Sequence, residues 1–119
     1  MDRINLQQKF SLFTEQWDPR IIAQVNEYQV KIARIEGDFP MHRHEETDEL
    51  FLVVQGTIRM DFEDRQVPLG EGDLIVVPRG VLHRPHADSE ACIMMFEPAG
   101  TLNTGDVRDE HTKEKLERI

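Results

Sequence analysis

The chain has 119 residues, 39% of them hydrophobic, and a formal charge of −9; this suits one domain with a single core, without staples, and leaves no room for a second. An acidic surface keeps a small protein soluble and repels phosphate backbones, so nucleic acid is not expected as a partner. The single cysteine, Cys92, rules out an intrachain disulfide and makes the cytoplasm the expected location, while MDRINLQQKF lacks the apolar core of a signal peptide and the longest apolar run, Ala91 to Phe96, is too short to span a bilayer, so no membrane is expected.

Residues 1–19 read as an N-terminal arm. Ile4, Leu6, Phe10, Leu12 and Phe13 fit a short helix or an arm laid over a sheet, and Trp17-Asp18-Pro19 turns the chain into extended conformation. Strand signals then run over residues 20–100. From Arg20 to Glu36, two strands joined near Asn26-Glu27 fit, with Val30 and Ile32 alternating with Gln29 and Lys31. A helical period over Ile21, Ile22, Val25 and Gln29 fits as well. Gly37 to Met41 reads as a turn stiffened by Pro40. After the acidic loop Glu45-Glu46-Thr47-Asp48 a strand begins at Glu49; if Glu49 points inward, so do Phe51 and Val53. Thr57 to Phe62 returns antiparallel, with Ile58, Met60 and Phe62 on one face and Arg59 and Asp61 on the other.

Glu63-Asp64-Arg65 reads as a hairpin tip, Gln66 to Leu69 as a short strand, and Gly70-Glu71-Gly72-Asp73 as a tight turn. Leu74 to Val77 is expected to be a strand buried on both faces, and Ala91 to Glu97 the last strand. Residues 101–119 are a polar tail: Asp109 to Arg118 is compatible with a helix, Leu116 to Ile119 with a late edge strand, and the whole with a mobile end. About eight short strands bounded by turns predict an all-β antiparallel sandwich or barrel, whose closed sheet leaves a lumen where alternate side chains converge.

His42 and His44 stand two apart, so on extended backbone both imidazoles leave one face, a chelating spacing. A bare pair of this kind is more often two surface histidines. Its company changes the reading: Glu49 opens the next apolar run, and His83 follows Pro78-Arg79-Gly80 after a β-branched run. Three imidazoles and one carboxylate can form an octahedral shell with two positions open. Asp48 rivals Glu49, and His86 rivals His83; as a lumen residue His86 would be a general acid or base, with an unperturbed pKa near ~6.5. Arg79 and Arg84 are candidates for holding an anionic substrate. Phe51, Met60, Phe62 and Met94 are expected to line or pack the lumen, and Cys92 to be inert core.

The two stretches Gly37–Gly56 and Gly72–His83 resemble the two signature motifs of the cupin superfamily, HxH…E…G followed by G…PxG…H. The matching residues are Gly37, His42, His44, Glu49 and Gly56, then Gly72, Pro78, Gly80 and His83. The resemblance covers roughly residues 27–98 and is closest to small single-domain type-2 cupins likened to mannose-6-phosphate isomerase. It implies a cupin-type jelly roll, or double-stranded β-helix, with a metal ion inside on His42, His44, Glu49 and His83. It favours strands over helix between Arg20 and Glu36, Glu49 over Asp48, and His83 over His86 as ligand. It also suggests a homodimer paired through the N-terminal arms. Two departures stand out: the approach from Gly37 to His42 is one residue shorter than usual, and Ala87 stands where an asparagine is often found. Family members include dioxygenases, isomerases, decarboxylases and plain binding modules. The expectation is a metal-dependent enzyme, dioxygenase or isomerase, using one divalent ion (Fe, Mn, Co, Ni or Zn) on a small organic substrate, with His86 as the one nameable acid or base. The alternative is a non-catalytic module that captures a small ligand, with the metal as anchor.

Overall fold

A computed structural model describes residues 1–119 as a helix, α1 (Leu6–Phe10), and eight strands: β1 (Arg20–Val25), β2 (Tyr28–Asp38), β3 (Glu49–Gln55), β4 (Ile58–Phe62), β5 (Gln66–Leu69), β6 (Leu74–Val77), β7 (His83–Pro98) and β8 (Glu117–Arg118). The sheet order is β5-β4-β7-β2-β1-β8, with β3 joining β7 to β6. The long strand β7 closes the structure by changing partner. Its first residues pair with β4, His83 opposite Phe62, and its last with β3, Phe96 opposite Leu50, while its other edge follows β2 from His86 to Pro98. Asp88, Ser89 and Glu90 lie exposed at the corner between the two pairings. The result is the antiparallel jelly-roll barrel expected from the sequence, with one parallel pair, β1 with β8.

Period-two alternation gives β2 and β7 two faces with different duties. Their inner face contributes Ala33, Ile35, Ile93 and Met95 to the lumen core, together with Phe51 and Val53 of β3 and Ile58 and Met60 of β4. On the outer face, Ile32 and Cys92 lie beneath Phe10, Phe13 and Ile22. Five residues are too few for an independent helix, so α1 depends on this contact; burying each phenylalanine contributes roughly 2–3 kcal/mol. Asn5 caps the start by accepting from the Gln8 amide, and Arg34 closes the end by donating to the carbonyls of Phe10 and Phe13. The arm thus covers the outer face of its own sheet.

Three expectations change. Gly37 is not in a turn: β2 continues to Asp38, and Gly37 sits in an irregularity of the ladder at φ +81°. The strand Leu74–Val77 is not buried on both faces, since β6 pairs only with β3 and leaves Leu74 56% and Val76 49% exposed. The strand expected from Ala91 begins at His83, because β4 supplies a partner for its first residues.

Residues 101–119 lie against the barrel. Thr104 is fully buried, its hydroxyl shared with Val107 O and Thr112 Oγ1. The Asp106 amide donates to Arg43 O, and Asp106 Oδ1 accepts from the Arg43 amide. Between these bonds Gly105 adopts φ +57°, and a Cβ there would collide with the Arg43 carbonyl. Of the alternatives open for this segment the late edge strand is the one formed, over Glu117–Arg118. No helix is long and apolar enough to cross a membrane.

Candidate metal centre

Three segments bring the four expected ligands together. His42 and His83 face each other in a two-way backbone bridge, His42 N to His83 O at 3.0 Å and His83 N to His42 O at 2.9 Å. His44 O is held by the Gly80 amide at 2.8 Å. Glu49 opens β3 pointing inward with Phe51 and Val53, as parity requires. All four side chains are buried, with one donor atom from each within 4.8 Å of the others.

The hydrogen bonds fix the tautomers. Nδ1 of His42 lies 2.8 Å from Pro40 O and Nδ1 of His83 lies 2.9 Å from Val81 O. A carbonyl can only accept, so each Nδ1 carries a proton and each Nε2 is the nitrogen turned to the site. Glu49 Oε1 lies 3.3 Å from His83 Nε2 and 3.1 Å from His44 Nε2, and the latter has no well-formed hydrogen bond. Two imidazole nitrogens therefore crowd one carboxylate oxygen. Donor atoms at right angles around an ion, each ~2.1 Å from it, sit ~3.0 Å apart. The spacing and the nitrogen-oxygen donor set fit a divalent transition metal, so this buried group could hold one.

Burial, and then the proximity of His83, push the His42 pKa down to about 4, which keeps the ring neutral and available as a ligand. Burial alone would raise the Glu49 carboxyl, but the imidazoles of His44 and His83 hold it well below the usual carboxylate range. Glu97 behaves in the opposite way: burial and the neighbouring Glu49 raise its carboxyl well above the ordinary value, against the influence of Lys31.

The group opens on a cavity of about 40 Å³ whose wall includes His42, Glu49, Phe51, Ile93, Met95, Lys31 and Glu97. Trp17 and Phe39, stacked at 4.8 Å, and Asn103 and Leu116 of the C-terminal segment complete it.

His86 is not in this lumen. Pro85 is buried between the two more exposed side chains Arg84 and His86, so on β7 His83 and Pro85 face inward and His86 faces outward. There it meets Asp38 and Asp88, which removes it as a lumen acid or base. Asp48 likewise stays outside, accepting from the Arg79 amide at 2.9 Å, and Arg84 is bound to Asp61 on the outer face. Neither arginine lines the cavity. Its cation is Lys31, and its second carboxyl is Glu97. Both continue ladders of inward apolar residues, Lys31 before Ala33 and Ile35, Glu97 after Ile93 and Met95. A charge in register with such a ladder was the signal that could have found them.

Residues 29–97 match the cupin domain family. Among solved structures, a cupin-2 domain protein of Shewanella frigidimarina is 46% identical, with a TM-score of 0.79 over 80% of this chain and 93% of that one. The chain is also 36% identical over 64 residues to the uncharacterized protein YdbB of Bacillus subtilis, covering 53% of this chain and 57% of that protein. It is 33% identical over 99 residues to the auxin-binding protein ABP20 of Prunus persica, covering 73% of this chain and 46% of that protein. The chain thus spans about half the length of the curated relatives it matches.

Proposed function

The chain belongs to the cupin domain family, and on that footing we propose that it is a metal-dependent enzyme of the dioxygenase or isomerase class, acting on a small organic molecule in the barrel lumen. The observation that carries this reading is the convergence of buried potential ligand atoms of His42, His44, Glu49 and His83 beside a cavity. The isomerase half of the reading draws on the likeness to mannose-6-phosphate isomerase-like cupins. When bound, one divalent ion of iron, manganese, cobalt, nickel or zinc would supply Lewis acidity or redox chemistry at that point.

The chain's own residues do the rest. The carbonyls of Pro40 and Val81 orient two of the imidazoles. Phe51, Ile93 and Met95 give the cavity an apolar wall that excludes water and strengthens every charge interaction inside. Glu97, whose carboxyl is raised well above its ordinary value by burial and the neighbouring Glu49, is the group on the cavity wall placed to hold or deliver a proton.

A second reading, capture of a small ligand without turnover, is favoured by the small size of the cavity and by the peach relative named for binding auxin. Oxygen uptake and product analysis on metal-reconstituted protein, offered a panel of small acids, polyols and sugars, separates the two. Turnover that disappears in His44→Ala supports the enzyme. Saturable binding with every compound recovered unchanged supports the binding module.

A further inference from the structure

The lumen carries a buried lysine–glutamate pair that stability does not explain. Lys31 and Glu97 are each 2% exposed, and Lys31 Nζ donates to Glu97 Oε1 at 2.8 Å. They come from neighbouring strands, diagonally opposed in the β2–β7 register, where Lys31 faces Met95. A lysine at a barrel wall normally runs its stem along apolar surface and leaves its ammonium in water; this one ends inside. Its other two N–H groups meet no protein acceptor, and Glu97 Oε2 is buried without a partner. Removing two such groups from water costs several kcal/mol, and well-packed apolar replacements are often neutral or stabilising. The open positions therefore point to something that enters the cavity.

We propose that Lys31, steadied by Glu97, is the specificity-determining residue of the lumen, and that the molecule it selects is a small carboxylic acid bound as its carboxylate beside the four-residue centre. The inference deepens the proposed function and rests on it. Lys31 is the single cation on the cavity wall, so an anion is the complement to its two free N–H groups. One ammonium, already bonded to one carboxyl, matches a monoanion better than a phosphate dianion. The volume of about 40 Å³ calls for a compact acid. Glu97 Oε2, the remaining open position, suits a hydroxyl group on the same molecule.

The test compares lactate with lactamide, which has nearly the same shape and no charge, by calorimetric titration of metal-loaded wild type, Lys31→Met and the double variant Lys31→Met/Glu97→Gln, with metal content measured in each. The double variant removes both members of the pair, and so guards against a single variant that fails to fold. Wild type is expected to bind lactate at least ~10-fold more tightly than lactamide, and both variants to keep their metal and lose that preference. Equal affinities in wild type, or an undiminished preference in metal-loaded variants, overturns the role of Lys31. If none of the proteins loads metal, the metal reading fails on its own; the same titrations on metal-free protein then decide for or against Lys31 by the same criterion.

Discussion

His83 and His86 stand three residues apart on β7, face opposite sides of the sheet and are opposite in chemistry. His86 puts Nδ1 2.6 Å from Asp38 Oδ1 and Nε2 2.7 Å from Asp88 Oδ1. Both nitrogens must donate, so the ring is an imidazolium, and the bonds to Asp88 and then Asp38 raise its pKa. His83 donates from Nδ1 to a backbone carbonyl and turns Nε2 inward to Glu49, 3.3 Å away. The surroundings repeat the contrast. On the outer face, Asp61 is held by Arg59 and Arg84 together; in the lumen, His44 Nε2 and Glu97 Oε2 are buried without partners. Complete pairing marks groups that hold the fold, and incomplete pairing of buried groups marks a place built for something else.

The largest effect that tests this contrast is the acid response of the metal-free protein. His42 has a folded pKa of about 4, below its unfolded value near ~6.5. The unfolded chain therefore binds the proton first as pH falls: stability is full above about 6.5 and is lost progressively towards about 4, on the order of 3 kcal/mol in all. Urea melts across that range should show a flatter pH dependence for His42→Asn by that amount; parallel curves would contradict the assignment of His42 as a buried neutral ring.

Next comes Gly105→Ala, in the C-terminal segment packed on Arg43, where the φ of +57° and the collision with the Arg43 carbonyl predict a loss of about 2 kcal/mol in chemical denaturation. An unchanged midpoint would mean that residues 101–119 do not sit against Arg43. On the outer face, Asp61→Asn leaves two partly exposed arginines short of their charged partner and should cost about 1 kcal/mol without altering metal content. A drop in metal binding would erase the distinction between the two faces.

His86→Gln is the smallest, at about 0.5 kcal/mol or less. Its sign is opposite to that of His42: the raised pKa stabilises the protein below the unfolded value of ~6.5, and that stabilisation fades as pH rises through the folded pKa. Imidazole resonances followed by NMR should therefore titrate above that value for His86 and near 4 for His42. Matching midpoints would contradict the account.

Much of this was legible in the sequence for physical reasons. The spacing of His42 and His44, the parity of Glu49 with Phe51 and Val53, and the glycines that bound the motifs all act locally, so they can be read one strand at a time. What was hidden depends on which face is covered by what. Lys31 alternates with Val30 and Ile32 and looked like the solvent side of an amphipathic strand; in fact both sides of β2 are covered, one by the arm and one by the lumen. Leu74 and Val76 looked buried because they are apolar, but β6 lies at an edge. His86 looked like a lumen residue because it follows His83 closely, and an odd separation along a strand put it on the other face. The seating of residues 101–119 depends on a single backbone approach at Gly105, which has no periodic signal.

The most direct test of the central claim is elemental analysis of protein purified without added metal, with His42→Ala/His83→Ala and His86→Ala prepared beside it. Near one equivalent of iron, manganese, cobalt, nickel or zinc in the wild type and in His86→Ala, lost in the double variant, is the expected result. No metal in the wild type even after incubation with each ion, or equal metal in the double variant, would contradict the assignment of His42, His44, Glu49 and His83 as the metal centre.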